Sequence, residues 1–93
     1  MDNSAPAQDT DIWFDDGNII LEVEKTLFKV HRSILSTHSI VFKKIFDEKS
    51  QYYQSLSTVP RITCHDKAAH LKLLLLGIYN TTYVQLLTGS WLF

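Results

Sequence analysis

The chain has 93 residues, is 45% hydrophobic and 20% charged, and carries a formal net charge of -1. That size suits one domain with a modest core. The apolar fraction excludes wholesale disorder, and the missing basic excess argues against a nucleic-acid binder, which needs cations to displace phosphate counterions.

Residues 1–10 contain Pro6 and small polar residues without periodicity, and read as a flexible tail with no signal peptide. Asp11-Ile12-Trp13-Phe14 follows as an apolar cluster. Asp15-Asp16-Gly17-Asn18 then has turn chemistry: glycine tolerates positive φ, and Asp and Asn side chains bond their own backbone. In Ile19-Ile20-Leu21-Glu22-Val23-Glu24, a period of two sets Ile19, Leu21 and Val23 on one face and both acids on the other, which predicts a half-buried strand. A tight turn around Lys25-Thr26 leads to a second strand with Phe28 and Val30 on one face, so the pair reads as a hairpin. The turn lacks Gly or Asn, and its type stays open.

From residue 31 the spacing becomes helical. Ile34 and Leu35, then Ile40, Val41, Phe42, Ile45 and Phe46, predict short helices over 31–36 and 39–47, with Ser39 as the second N-cap. Residues 48–58, with Tyr52-Tyr53 embedded, are Ser/Gln-rich and read as a loop. Residues 59–64 are β-rich and include Pro60, which predicts an edge strand. Asp66 is placed as the cap of a helix reaching about Tyr79 or Asn80, with Leu71, Leu74, Leu75 and Ile78 as its inner stripe. Leu73 and Leu76 add apolar surface elsewhere on that helix, so it wants partners on more than one side. Asn80-Thr81-Thr82 is expected to break it.

Catalytic and metal chemistry find little support. The four histidines and Cys64 lack the paired spacing of zinc sites. Cys64 and His65 are adjacent on a strand, so their side chains point to opposite faces and cannot form a nucleophile pair. The three glycines are isolated, which leaves no phosphate-cradling loop. No catalytic, cofactor-binding or metal-binding residue is assigned. A thiol enzyme using Cys64 is the alternative from another class, and a small buried hydrophobe is the simpler role for that residue. One cysteine allows no internal disulfide. The longest apolar stretch, residues 71–78, contains Lys72 and is far shorter than the ~20 residues of a membrane span. Together these features point to an intracellular protein, cytoplasmic or nuclear, that engages neither membrane nor nucleic acid.

The run Leu27-Phe28-Lys29-Val30-His31-Arg32-Ser33-Ile34-Leu35, followed by Ser39-x-x-Phe42-x-x-x-Phe46, resembles the BTB/POZ signature. The DG-N turn and the V-H-R-S-I-L run are closest in flavour to BTB proteins of fungi. Residues 59–64, Asp66 and the leucine-rich helix resemble the family's third strand and the helix after it. The resemblance implies an α+β fold: a small, mostly three-stranded sheet flanked by a cluster of short helices. It implies a partial domain over residues 11–87, with the C-terminal helices incomplete and 88–93 divergent. Phe28, His31, Leu35, Ser39, Phe42, Phe46 and Asp66 would be structural motif positions. The candidate partner contacts are Ile12, Trp13, Phe14, Ile45, Tyr52, Tyr53, Leu73 and Leu76. The implied function is protein binding: homo- or heterodimerisation with BTB proteins, with cullin-based ubiquitin ligases or corepressors as partners of many members. No clear hydrophobic-x-Glu element, frequent in cullin-binding members, follows Phe46. The alternative within this frame is an unstable, truncated product without independent function.

Overall fold

A computed structural model describes residues 5–88, with 81–88 described as helical backbone only. Most of the divergent end assigned to 88–93, including Trp91-Leu92-Phe93, lies outside the described residues, as do residues 1–4 of the tail. Four strands, β1 (Ala7–Trp13), β2 (Ile19–Val23), β3 (Thr26–Val30) and β4 (Arg61–Thr63), form one sheet in the order β1-β3-β2-β4. Four helices accompany it: α1 (Arg32–His38), α2 (Ile40–Glu48), α3 (Ser50–Gln54) and α4 (Ala68–Thr88).

The hairpin organises the rest. β2 and β3 pair antiparallel, with Ile19 opposite Val30 and Val23 opposite Thr26. The alternation read from the sequence holds: Ile19, Leu21, Val23, Phe28 and Val30 are all fully buried. Their face meets Leu35 of α1, Phe42 and Phe46 of α2, Tyr53 of α3, and Leu71, Leu75 and Ile78 of α4 in one core. Glu24 and Lys25 form the turn with φ of 50° and 70°. A two-residue hairpin loop of this hand requires positive φ at both positions, at roughly 1–2 kcal/mol for each non-glycine residue. Glu24 gains a function there, since its carboxylate accepts a 2.7 Å bond from the Ala68 N–H at the start of α4. The far end of the hairpin caps another helix, where Asn18 Oδ1 accepts from Arg32 N–H, the first residue of α1, at 2.8 Å.

The sheet has four strands rather than three, and β1 begins at Ala7, within the segment read as tail. β1 runs parallel to β3, pairing Ala7 with Thr26 and Gln8 with Leu27, then shifting register before Trp13 meets Lys29. Its polar edge sequence hides it, because no alternating apolar pattern is needed at an exposed edge. Its anchor is electrostatic. The Asp9 carboxylate accepts from the Asp11 and Ile12 N–H groups at 3.0 and 2.9 Å, and Lys72 of α4 reaches Asp9 at 3.2 Å and Asp11 at 2.8 Å. Burial works to raise the Asp9 pKa. The bonds from the Ile12 and Asp11 amides and from Lys72 more than offset it, so the group sits below the usual carboxylate value. A depressed carboxylate stabilises the fold fully above its unfolded pKa of about 3.9, and that stability is lost as pH falls through the folded value. Asp9→Asn is therefore expected to flatten the acid limb of melting temperature against pH below about pH 4. An unchanged slope would remove this role from Asp9.

Two further elements and one residue depart from the sequence expectation. Residues 50–54 are helical, not loop, because Tyr53 is buried and its ring packs edge-on to Phe46 at 6.3 Å, with the Arg32 guanidinium 4.9 Å from its centroid. α4 continues through Asn80-Thr81-Thr82 to Thr88; these residues are weak helix formers but neither proline nor glycine, so they do not end a helix. Leu74 leaves the inner stripe and is 50% exposed.

Gly17 fits where no side chain could. A Cβ added there would lie 2.8 Å from the Val30 carbonyl oxygen and 3.0 Å from that of Phe14. Gly17→Ala must displace backbone, and its expected cost is about 1–3 kcal/mol, read by urea denaturation. A neutral substitution would show that the turn is looser than described.

Candidate interaction surface

α4 has two unlike sides. Leu71, Leu75 and Ile78, at helical spacing, enter the core. Leu73, Leu74 and Leu76 point away and remain 68%, 50% and 43% exposed. No charged residue occurs from Leu73 to the helix end. Gly77 sits among the leucines, and a Cβ there would meet nothing within 4 Å. Shallow grooves of about 420 and 390 Å³ flank it, one lined by Phe14, Leu76 and Tyr79, the other by His38, Leu73 and Leu74. Protruding leucines beside a largely apolar groove at Phe14, Leu76 and Tyr79 make a surface that excludes water only when something covers it.

The helix is held in place by a polar hub at the strand-to-helix junction. Tyr79 Oη accepts from the His31 backbone N–H at 2.8 Å and lies 2.8 Å from His31 Nδ1. His31 Nε2 lies 2.9 Å from Asp16 Oδ1. An ionised carboxylate can only accept, so Nε2 carries a proton, and in that tautomer Nδ1 accepts from the Tyr79 hydroxyl. Every group in the chain of bonds is then matched. The His31 bond holds the Asp16 pKa below its ordinary value, and burial pushes Tyr79 up to about 12. Phe14 stacks on Tyr79 with centroids 4.6 Å apart. Residues from the first turn, the hairpin exit and α4 thus meet at one point, which fixes the rotation of α4 and so determines which leucines face outward.

The other motif positions lie in the core or at helix starts. Phe28 and Leu35 are fully buried, and Phe42 and Phe46 stack at 5.7 Å. Ser39 Oγ accepts from the Phe42 N–H at 3.3 Å and caps α2. Asp66 does not cap α4 as the sequence suggests: its carboxylate takes the Lys67 N–H, and Glu24 supplies the cap.

The eight candidate contacts do not lie together. Ile12 (2% exposed) and Tyr53 are in the core and present no side chain to a partner. Alternation put Ile12 at the sheet face, and α3 turned Tyr53 inward. Trp13 is half-buried beneath Lys29, whose ammonium is 5.7 Å from the ring. Phe14 joins Leu73 and Leu76 at the α4 face. Ile45 and the exposed Tyr52 belong to a separate region near β4. Sequence reasoning missed Ile40 and Val41 of α2 as exposed residues; their place in a helical apolar run suggested core.

Among the described residues, no group of three or more His, Cys, Asp or Glu side chains gathers in a way that could hold a metal ion. The Cys64 thiol pKa is raised by burial and by the Asp66 charge, the opposite of the shift that activates a nucleophile. No helix among the described residues is long and apolar enough to cross a membrane.

A family model described as the BTB/POZ domain matches residues 14–86. No curated protein and no solved structure matched the chain.

Proposed function

Because this chain belongs to the BTB/POZ domain family, whose domains are protein-interaction and dimerisation modules rather than enzymes, we propose that it acts by pairing with a second copy of itself or with another BTB/POZ domain across the outer face of α4. The observation that supports this reading is the row Leu73, Leu74 and Leu76, exposed on a helix stretch without a single charge. Two such faces bring no like charges together, and the open space at Gly77 lets another helix approach closely.

The expected pairing is weak. A self-affinity between about 0.1 and 1 mM is expected. Sedimentation velocity over a concentration series tests it. A monomer–dimer equilibrium is expected for the native chain and a pure monomer for Leu73→Asp/Leu76→Asp. A native chain that stays monomeric up to about 1 mM and binds no other BTB/POZ domain would contradict the reading. A cullin scaffold is the less favoured partner, given the missing hydrophobic-x-Glu element after Phe46.

A further inference from the structure

A second surface runs along β4 and meets the α4 face at Leu74. This strand pairs with β2 alone and forms the end of the sheet. Ile20 N–H donates to the Pro60 carbonyl at 2.9 Å, and Cys64 N–H donates to the Glu22 carbonyl at 2.7 Å. Backbone groups of a strand alternate in direction. Pro60, Ile62 and Cys64 therefore turn theirs toward β2, and Arg61 and Thr63 turn their N–H and C=O groups outward. Both residues are exposed, and among the described residues no partner occupies that edge.

The open edge faces a wall made by α2 and α3. Between wall and strand lie two adjoining depressions that share Ile62 and Thr63. One, of about 440 Å³, reaches Lys49 and Tyr52. The other, of about 430 Å³, is floored by Val41, Phe42, Ile45 and Leu74 and is largely apolar. Val41 is 64% exposed there although it sits in the apolar run of α2. A strand edge, a facing helix and successive side-chain pockets make the arrangement by which proteins take up an extended peptide as an added strand.

We propose that β4 binds a short extended segment of a partner protein by strand addition. The outward groups of Arg61 and Thr63 dictate the partner's conformation, since only an extended backbone presents donors and acceptors at matching spacing. The apolar depression dictates its chemistry: a bulky aliphatic or aromatic side chain pointing in beside Val41 and Ile45. Pro60 has no N–H and β4 is three residues long, so the added strand is short, about five residues.

The test uses blocked heptapeptides with alternating Thr and Val flanks and Leu, Phe, Asp or Lys at the centre, titrated into the ¹⁵N-labelled native chain. The Leu or Phe peptide is expected to bind with a Kd of about 10–100 µM, to shift the Arg61 and Thr63 amides, and to slow their hydrogen exchange at least about tenfold. The Asp and Lys peptides, and N-methylation of the backbone amides that face β4, should each weaken binding about tenfold or more. Val41→Asp, at a position 64% exposed, should do the same. If no peptide perturbs Arg61 and Thr63 at about 1 mM, or if binding is indifferent to N-methylation and to Val41→Asp, the proposal is overturned, whatever the outcome at α4.

Discussion

Leu75→Ala is expected to cost about 3 kcal/mol, with a range of about 2–5. Leu75 is fully buried and packs in the single core cluster. Truncation removes its transfer free energy and leaves a void that the closely packed sheet face cannot fill by collapse. For a domain of this size, about 3 kcal/mol is a large part of the total stability. Leu73→Ala, two positions away on the same helix, should change the stability of the dilute monomer by no more than about 0.5 kcal/mol, because that side chain is already mostly in water. Urea denaturation at low protein concentration reads both. Equal effects would mean that α4 is rotated from its described position, and the outward leucines would no longer define a surface.

Tyr79→Phe should cost about 1–3 kcal/mol, nearly all of it through one hydroxyl. The ring stacking on Phe14 survives the change. The His31 backbone N–H loses its acceptor and His31 Nδ1 loses its donor, each left part-buried without a replacement. An unsatisfied group of this kind carries its full desolvation cost, which exceeds the net worth of an ordinary hydrogen bond. A double-mutant cycle with His31→Ala isolates the pairing. The two losses should be less than additive, by about 0.5–3 kcal/mol. Full additivity would show that the hydroxyl and the imidazole do not act together.

The sequence was most informative where neighbouring residues settle the structure. The alternation of Ile19, Leu21 and Val23 and the F-x-V-H run showed the hairpin, and Ser39 showed the start of α2, because each is a local pattern with a local cause. β1 escaped because an edge strand held by Lys72 and two aspartates needs no apolar alternation. α3 escaped because Tyr53 turns inward against Phe46, a tertiary contact that overrides an indifferent helix propensity. Two long-range hydrogen bonds were beyond reach as well. Glu24 and Ala68 are 44 residues apart, and His31 and Tyr79 are 48 apart. The α4 surface was partly legible, since a helix apolar nearly all round must expose something. Leu71, Leu75 and Ile78 were placed inward correctly, but assigning Leu74 outward required the rotation of the helix, which the Tyr79 hub sets. The open edge of β4 was announced by Pro60, but the depression beneath it depends on where α2 comes to rest.

If the chain pairs as proposed, the outer leucines of α4 are where two copies meet. Mixing ¹³C-labelled with unlabelled chain at high concentration and collecting isotope-filtered NOEs tests this directly. Intermolecular NOEs are expected at the Leu73 and Leu76 methyls and at the Gly77 α-protons, and none at the core methyls of Leu21 or Leu35. A dimer whose intermolecular NOEs fall elsewhere, or a sample with none at any concentration, would contradict it.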